Sequence, residues 1–190
     1  MKNIKLLIEY DGTNYSGWQR QTNALSVQQV LEEALAELTG ESITIIGSGR
    51  TDSGVHAKGQ VANFATTSSI PPDKFSYAIN TLIPPDIRIL HSQEVSMDFH
   101  ARYSAVAKRY RYSVLTRPHA PAIGRNYYYH IPDILDVDAM NDATRYIIGT
   151  HDFKAFQSGG ASSKSTVRTV YEAYWKQEPP CRLYFNVKGN

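Results

Sequence analysis

Two spacings of apolar residues run through this chain, and the change from one to the other marks its elements. Ile4 to Tyr10 is strand-like, and Asp11-Gly12-Thr13-Asn14 is a turn signal. Ser26-Val27-Gln28-Gln29 opens a helix as a capping box: Ser26 accepts from the amide three residues on, and Gln29 reaches back to the Ser26 amide. Val27, Val30, Leu31, Ala34, Leu35 and Leu38 follow at 3.6-residue spacing, and Gly40 stands where a helix end favours positive φ. Ile43 to Ile46 and Gly59 to Phe64 are extended segments joined by a loop. Pro72 to Leu82 has a helical face in Phe75, Ala78, Ile79 and Leu82, closed by Pro84-Pro85, and Ile87 to Val95 is extended again. The order strand, helix, strand, strand, helix, strand is that of a split βαβ, or ferredoxin-like, unit.

The second half begins in the same order. Ala107 to Leu115 alternates, with Tyr110, Tyr112 and Val114 on one face and Arg109, Arg111 and Ser113 on the other. Asp136 caps a helix with the stripe Val137, Met140, Ala143, Ile147 and Ile148, closed by Gly149. Ser158 to Thr166 is a polar loop carrying Lys164, and Arg168 to Trp175 and Arg182 to Lys188 are strands. The pattern therefore predicts an α+β chain of two ferredoxin-like (βαββαβ) domains with antiparallel sheets, at 1–98 and 104–190. The second is cut to βαββ, which leaves part of an apolar sheet face uncovered. A complete but smaller second lobe fits the periodicity equally well.

Composition narrows the function classes. The 190 residues suffice for a full core, and a mean hydropathy of -0.39 without a long apolar run excludes a helical membrane span. The N-terminus reads as a first strand rather than a signal peptide, and the single Cys181 is compatible with a reducing compartment, so a cytoplasmic location is expected. Net charge is only +2, but no Asp or Glu occurs between Asp98 and Asp133. Arg102, Lys108, Arg109, Arg111, Arg117 and Arg125 fall there, among Tyr103, Tyr110, Tyr112 and Tyr127-Tyr128-Tyr129. Cations for phosphates beside flat rings for bases make an RNA-binding surface; a solvated basic face with tyrosines in a sheet has the same composition.

The loop between the two extended segments carries the chemistry. Gly49-Arg50-Thr51-Asp52-Ser53-Gly54-Val55-His56-Ala57 sets one carboxylate near an arginine, a candidate covalent or acid/base catalyst. Its glycine spacing is neither a Walker motif nor a dinucleotide fingerprint, and an extended segment follows where a phosphate loop needs a helix. Asp52 and His56 lack a third metal ligand at recognisable spacing, and Ser53 lacks the nucleophile-elbow pattern. An ordinary Asx-type turn between strands remains the alternative.

These nine residues resemble the active-site motif of the TruA-type tRNA pseudouridine synthases. Tyr10-Asp11-Gly12, Gly17-Trp18-Gln19-Arg20-Gln21, Phe99-His100-Ala101-Arg102 and Lys108-Arg109-Tyr110-Arg111-Tyr112 are similar to that family's other landmarks, in the same order. The resemblance implies two ferredoxin-like domains with the active site in a basic cleft between them, in a homodimer working without cofactor or metal. The implied substrate is the anticodon arm of tRNA, at uridines 38 to 40. It makes Asp52 the catalytic nucleophile, Tyr110 the ring packed on the target base, and Arg50 a residue that holds the nucleotide out of the stem. Arg102, Arg109, Arg111, Lys164 and Arg168 are the expected phosphate contacts. The family pattern continues beyond Asn190 into a helix with an arginine that pairs with the aspartate, and then a last strand. A truncated, catalytically impaired tRNA-binding module of the same fold is the alternative function.

Overall fold

The computed structural model describes residues 1–157 and 165–190. The chain divides into two compact units, Met1–Ala105 and Val106–Asn190, each a mixture of helices and one sheet.

In the first unit β1 (Lys2–Tyr10) alternates from Ile4 onward, so Ile4, Leu6, Ile8 and Tyr10 all point into the core. Helix α1 (Val27–Thr39) starts at Ser26, whose hydroxyl accepts from the Gln29 amide at 3.3 Å, and ends at Gly40, in the left-handed region at φ 73°. The reciprocal half of the capping box does not form: Gln29 Nε2 donates to Glu33 at 2.9 Å instead. The next two amides at the helix start are met by tertiary partners, with Val27 donating to the Gly17 carbonyl and Gln28 to that of Trp18.

Strand β2 is only Ile46–Gly47, shorter than the apolar run from Ile43 suggests. The backbone of Ile45 bonds to helix side chains rather than to a strand: its amide donates to Glu32 at 3.1 Å and its carbonyl accepts from Gln28 at 3.0 Å. Strand β3 (Ala57–Thr66) follows, then a 3-10 turn (Pro72–Lys74) leading into α2 (Phe75–Asn80), and β4 (Ile87–Val95). Because α2 stops at Asn80, Ile83 fills the core and Leu82 is exposed, a correction to the expected helical face. The sheet order is β2-β3-β1-β4, antiparallel throughout. Phe64 of β3 meets Phe75 of α2 edge-on with ring centroids 5.4 Å apart, and Val27, Leu31 and Leu35 of α1 complete the core.

The second unit contains β5 (Lys108–Thr116), β6 (Tyr129–Ile131), α3 (Val137–Thr144), β7 (Gly149–Asp152), β8 (Val167–Glu178) and β9 (Arg182–Gly189). Its sheet runs β6-β5-β9-β8-β7, with β6 parallel to β5 and every other pair antiparallel. Two of these strands, β6 and β7, exceed the four-element pattern read from the sequence; both are too short to show periodicity. Helix α3 ends earlier than the stripe suggests. The Thr144 hydroxyl bonds to the Asn141 carbonyl and to Ala173 of β8, i→i+3 turns carry the chain to Ile147, and Gly149 at φ 107° opens β7 rather than closing the helix. Asn141 of α3 caps the edge of β8, accepting from the Trp175 amide at 2.7 Å and donating to its carbonyl at 3.2 Å.

Candidate functional site

The Asp52 loop joins β2 to β3 in the first unit, and segments that the sequence places far away hold it. At its entry the Thr51 carbonyl accepts from the Trp18 amide at 3.1 Å, and the Thr51 hydroxyl shares a 2.8 Å hydrogen bond with Tyr10. At its tip the Tyr15 carbonyl accepts from the Gly54 amide at 3.2 Å and from the Ser53 hydroxyl at 3.3 Å. Within the loop Val55 N–H bonds to the Asp52 carbonyl at 3.2 Å, closing a turn with Gly54 at φ 78°. At its exit Nδ1 of His56 lies 3.0 Å from the Gly12 amide nitrogen and 2.9 Å from Asp11 Oδ1.

Close backbone approach makes these ties possible. A Cβ on Gly12 would stand 2.0 Å from the Val55 carbonyl oxygen, and one on Gly17, at φ 84°, would stand 2.3 Å from the Thr51 oxygen. The glycines of the Tyr10-Asp11-Gly12 and Gly17-Trp18 motifs are thus the two faces of a clamp on the loop. The clamp is itself anchored in the core, since Tyr10, Tyr15 and Trp18 are all buried. Tyr15 donates from its hydroxyl to Asp86 at 2.7 Å; burial first, then that bond and the Asp86 and Asp11 charges, push its phenol far above the usual range. Gln19 and the Arg20 amide both donate to Gln28 Oε1, and Arg20 pairs at 3.0 Å with Glu32, which is buried.

Asp52 itself is exposed, as is Arg50. Among the described residues these two make no ion pair with each other. The backbone is fixed, therefore, while the carboxylate is presented to solvent and to whatever docks there. Arg102 is exposed beyond a segment pinned by buried amides: Asn3 donates to the Ser96 and Phe99 carbonyls, both at 2.9 Å, and Asn63 accepts from the Ala101 amide at 2.8 Å.

In the second unit Tyr110 lies on β5, 52% exposed, across from Val187 of β9. Arg109 and Arg111 point to the opposite face of that strand, as alternation requires. Arg109 pairs with Glu172 at 2.9 Å; Arg111 bonds to Asn186 at 3.1 Å and lies over the Tyr184 ring at 5.0 Å. Arg168 is half-buried on β8, where a guanidinium nitrogen donates to the Val167 carbonyl at 2.7 Å. Lys164 lies outside the described residues. Of the three consecutive tyrosines, Tyr129 sits 6.1 Å from Tyr112 and Tyr128 lies under Arg182 at 5.7 Å.

Sequence reasoning gave no role to Gly12, Tyr15, Gly17 and Trp18, and weighed His56 only as a metal ligand. Most stand in motifs quoted for the resemblance, but only the tertiary contacts give them a role. Among the described residues no group of three or more His, Cys, Asp or Glu gathers as a metal site, and no helix is long and apolar enough to cross a membrane.

Comparison with known proteins gives the loop a family. A family model described as tRNA pseudouridine synthase matches residues 6–104 and 143–190. The chain is 54% identical over 190 residues to tRNA pseudouridine synthase A of Acetivibrio thermocellus, covering all of this chain and 78% of that protein. It is 54% identical over 192 residues to the protein of the same name from Ruminiclostridium cellulolyticum, and 49% identical over 190 residues to that of Clostridium kluyveri, with 78% of each relative covered. The matched residues include the Asp52 loop and every segment that clamps it, and the chain belongs to the tRNA pseudouridine synthase family.

Proposed function

We propose that this chain converts uridine to pseudouridine in the anticodon arm of tRNA, at positions 38 to 40, with Asp52 as the nucleophile. The observation that carries the reading is the loop: an exposed carboxylate on a backbone tied at entry, tip and exit by buried elements. Rigid presentation of a reactive group is what positions it for attack.

The reaction is balanced without redox chemistry. The N1–C1′ bond breaks, the detached uracil turns, a C5–C1′ bond forms, and the proton lost from C5 is matched by one gained at N1. The target nucleotide first leaves the stem, because a stacked base shields its ring and sugar from a carboxylate. Tyr110 supplies the ring face that holds the freed uracil, and Arg50 helps keep the nucleotide out of the stack. Arg102, Arg109, Arg111, Lys164 and Arg168 are assigned to the RNA backbone, where each contact adds to the salt dependence of binding. Each unit is read as a ferredoxin-like sheet, the second incomplete. The β2-β3-β1-β4 order of the first, with helices between β1 and β2 and between β3 and β4, supports this. Homodimerisation rests on the family resemblance alone, and a cytoplasmic location on the N-terminal pattern and the single Cys181.

The test is tritium release from tRNA carrying 5-labelled uridine. Asp52→Ala abolishes release while tRNA binding persists; unchanged release in that variant refutes the assignment. Salt-sensitive tRNA binding by the unaltered chain without any release would mark it instead as a binding module.

A further inference from the structure

The exit of the Asp52 loop is held differently from its entry and tip. There the chain through Val55 and His56 crosses Asp11-Gly12 with no side chain between the backbones. The imidazole of His56 lies in that crossing, its side chain 28% exposed. Its Nδ1 is within hydrogen-bond distance of two groups at one corner, the Gly12 amide at 3.0 Å and the Asp11 carboxylate at 2.9 Å. A single ring nitrogen serves one of them at a time. With the proton on Nε2 it accepts from Gly12; with a proton on Nδ1 it donates to Asp11. Both bonds lead to the same corner, so the crossing stays tied whichever ring nitrogen carries the proton.

We propose that His56 is a positioning residue for the nucleophile: its ring fixes the loop exit at the Asp11-Gly12 corner and thereby the place of the Asp52 carboxylate. This rests on the reading of Asp52 as the nucleophile. The turn between them is closed by one 3.2 Å bond from Val55 to Asp52, and a Cβ on Gly54 would meet nothing within 4 Å. The loop tip is held by the Gly54 and Ser53 bonds to the Tyr15 carbonyl, and the tie through His56 fixes the segment that leaves Asp52 on the other side.

Two losses and one rescue test the proposal. His56→Ala and His56→Phe both remove the acceptor, the second while keeping a ring's bulk. His56→Asn restores it, because a carboxamide offers an oxygen to the Gly12 amide and an N–H to Asp11. Hydrogen exchange at the Gly12 amide, followed by NMR, speeds up about tenfold in the two loss variants and returns close to the original rate in His56→Asn. Single-turnover pseudouridine formation in tRNA falls about 100-fold in both loss variants, the scale of an ångström of misplacement, while the tRNA Kd stays within about twofold. In His56→Asn the rate recovers to within about threefold of the original. Unchanged exchange in His56→Phe, a rate in His56→Asn as low as in His56→Ala, or a loss confined to tRNA binding each overturns the proposal. Asp52→Asn, assayed beside them, keeps the two readings apart. Turnover surviving in that variant refutes the nucleophile, and Gly12 exchange then decides alone whether His56 holds the loop.

Discussion

Gly12→Ala isolates the clamp. The substitution adds one methyl group and keeps the amide that faces His56, and Gly12 is not among the positive-φ residues, so backbone strain does not enter. The new Cβ would stand 2.0 Å from the Val55 oxygen and 2.6 Å from its carbonyl carbon. Reaching an ordinary 3.4 Å contact with that oxygen requires the two segments to part by about 1.4 Å, and both are backbone, so no rotamer change relieves it. Overpacking of this kind costs about 1–3 kcal/mol. For a chain of this length that lowers Tm by roughly 2–4 °C per kcal/mol. Because the displaced residues lead directly from Asp52, the larger effect falls on turnover, down about 100-fold for an ångström-scale shift, with tRNA affinity little changed. Gly40→Ala is the control. It imposes left-handed strain of about 1–2 kcal/mol at the α1 C-terminus, in open space, and leaves turnover intact. The assays are calorimetry and tritium release on the same preparations. Turnover in Gly12→Ala within about twofold of the original would refute the clamp.

Three further outcomes follow from named contacts. Tyr15→Phe removes the 2.7 Å bond to Asp86 and costs about 1–3 kcal/mol at neutral pH. The folded-state pKa of Tyr15 is raised above the ordinary tyrosine value of about 10, so this stabilisation is complete below about pH 10 and is lost as pH rises beyond it. Urea titrations from neutral to alkaline pH therefore show a shallower alkaline decline in Tyr15→Phe, and parallel declines would contradict the assignment. Glu32→Ala leaves the buried Ile45 amide without its acceptor and removes one from Gln28, while the half-exposed Arg20 keeps Glu33, and costs about 1–3 kcal/mol; a urea midpoint unchanged from the original would show the network to be idle. Tyr110→Ala lowers single-turnover formation about 10–100-fold while Tyr110→Phe retains it, because stacking belongs to the ring; equal losses would point to the hydroxyl.

Local pattern made much of the first unit legible. Helix α1 was readable because its signals are short-range: an apolar stripe at helical spacing, an N-terminal hydroxyl and a C-terminal glycine. Strand β2 was over-read because Ile43 and Ile45 are buried as a strand would bury them, yet the backbone of Ile45 is taken up by Glu32 and Gln28 from α1. No spacing rule reports that exchange. In the second unit β6 and β7 are three and four residues long, less than one clear alternation, and their pairing with β5 and β8 exists only across the sheet.

For the site the division is sharper. The nine residues around Asp52, read alone, offered a candidate catalyst or an ordinary turn, and the family likeness gave the carboxylate, Arg50 and Tyr110 their expected roles. Local sequence determined the glycine-bracketed turn, the strands on either side, and the alternation that sets Tyr110 against Arg109 and Arg111. Tertiary structure alone decided that Tyr10, Gly12, Tyr15, Gly17 and Trp18 converge on the loop that carries Asp52 and His56, since their contacts with it span about forty residues of chain. The physical reason is range: propensity and periodicity act over a few residues, whereas the position of a reactive carboxylate depends on backbone groups brought together by the burial of a common core.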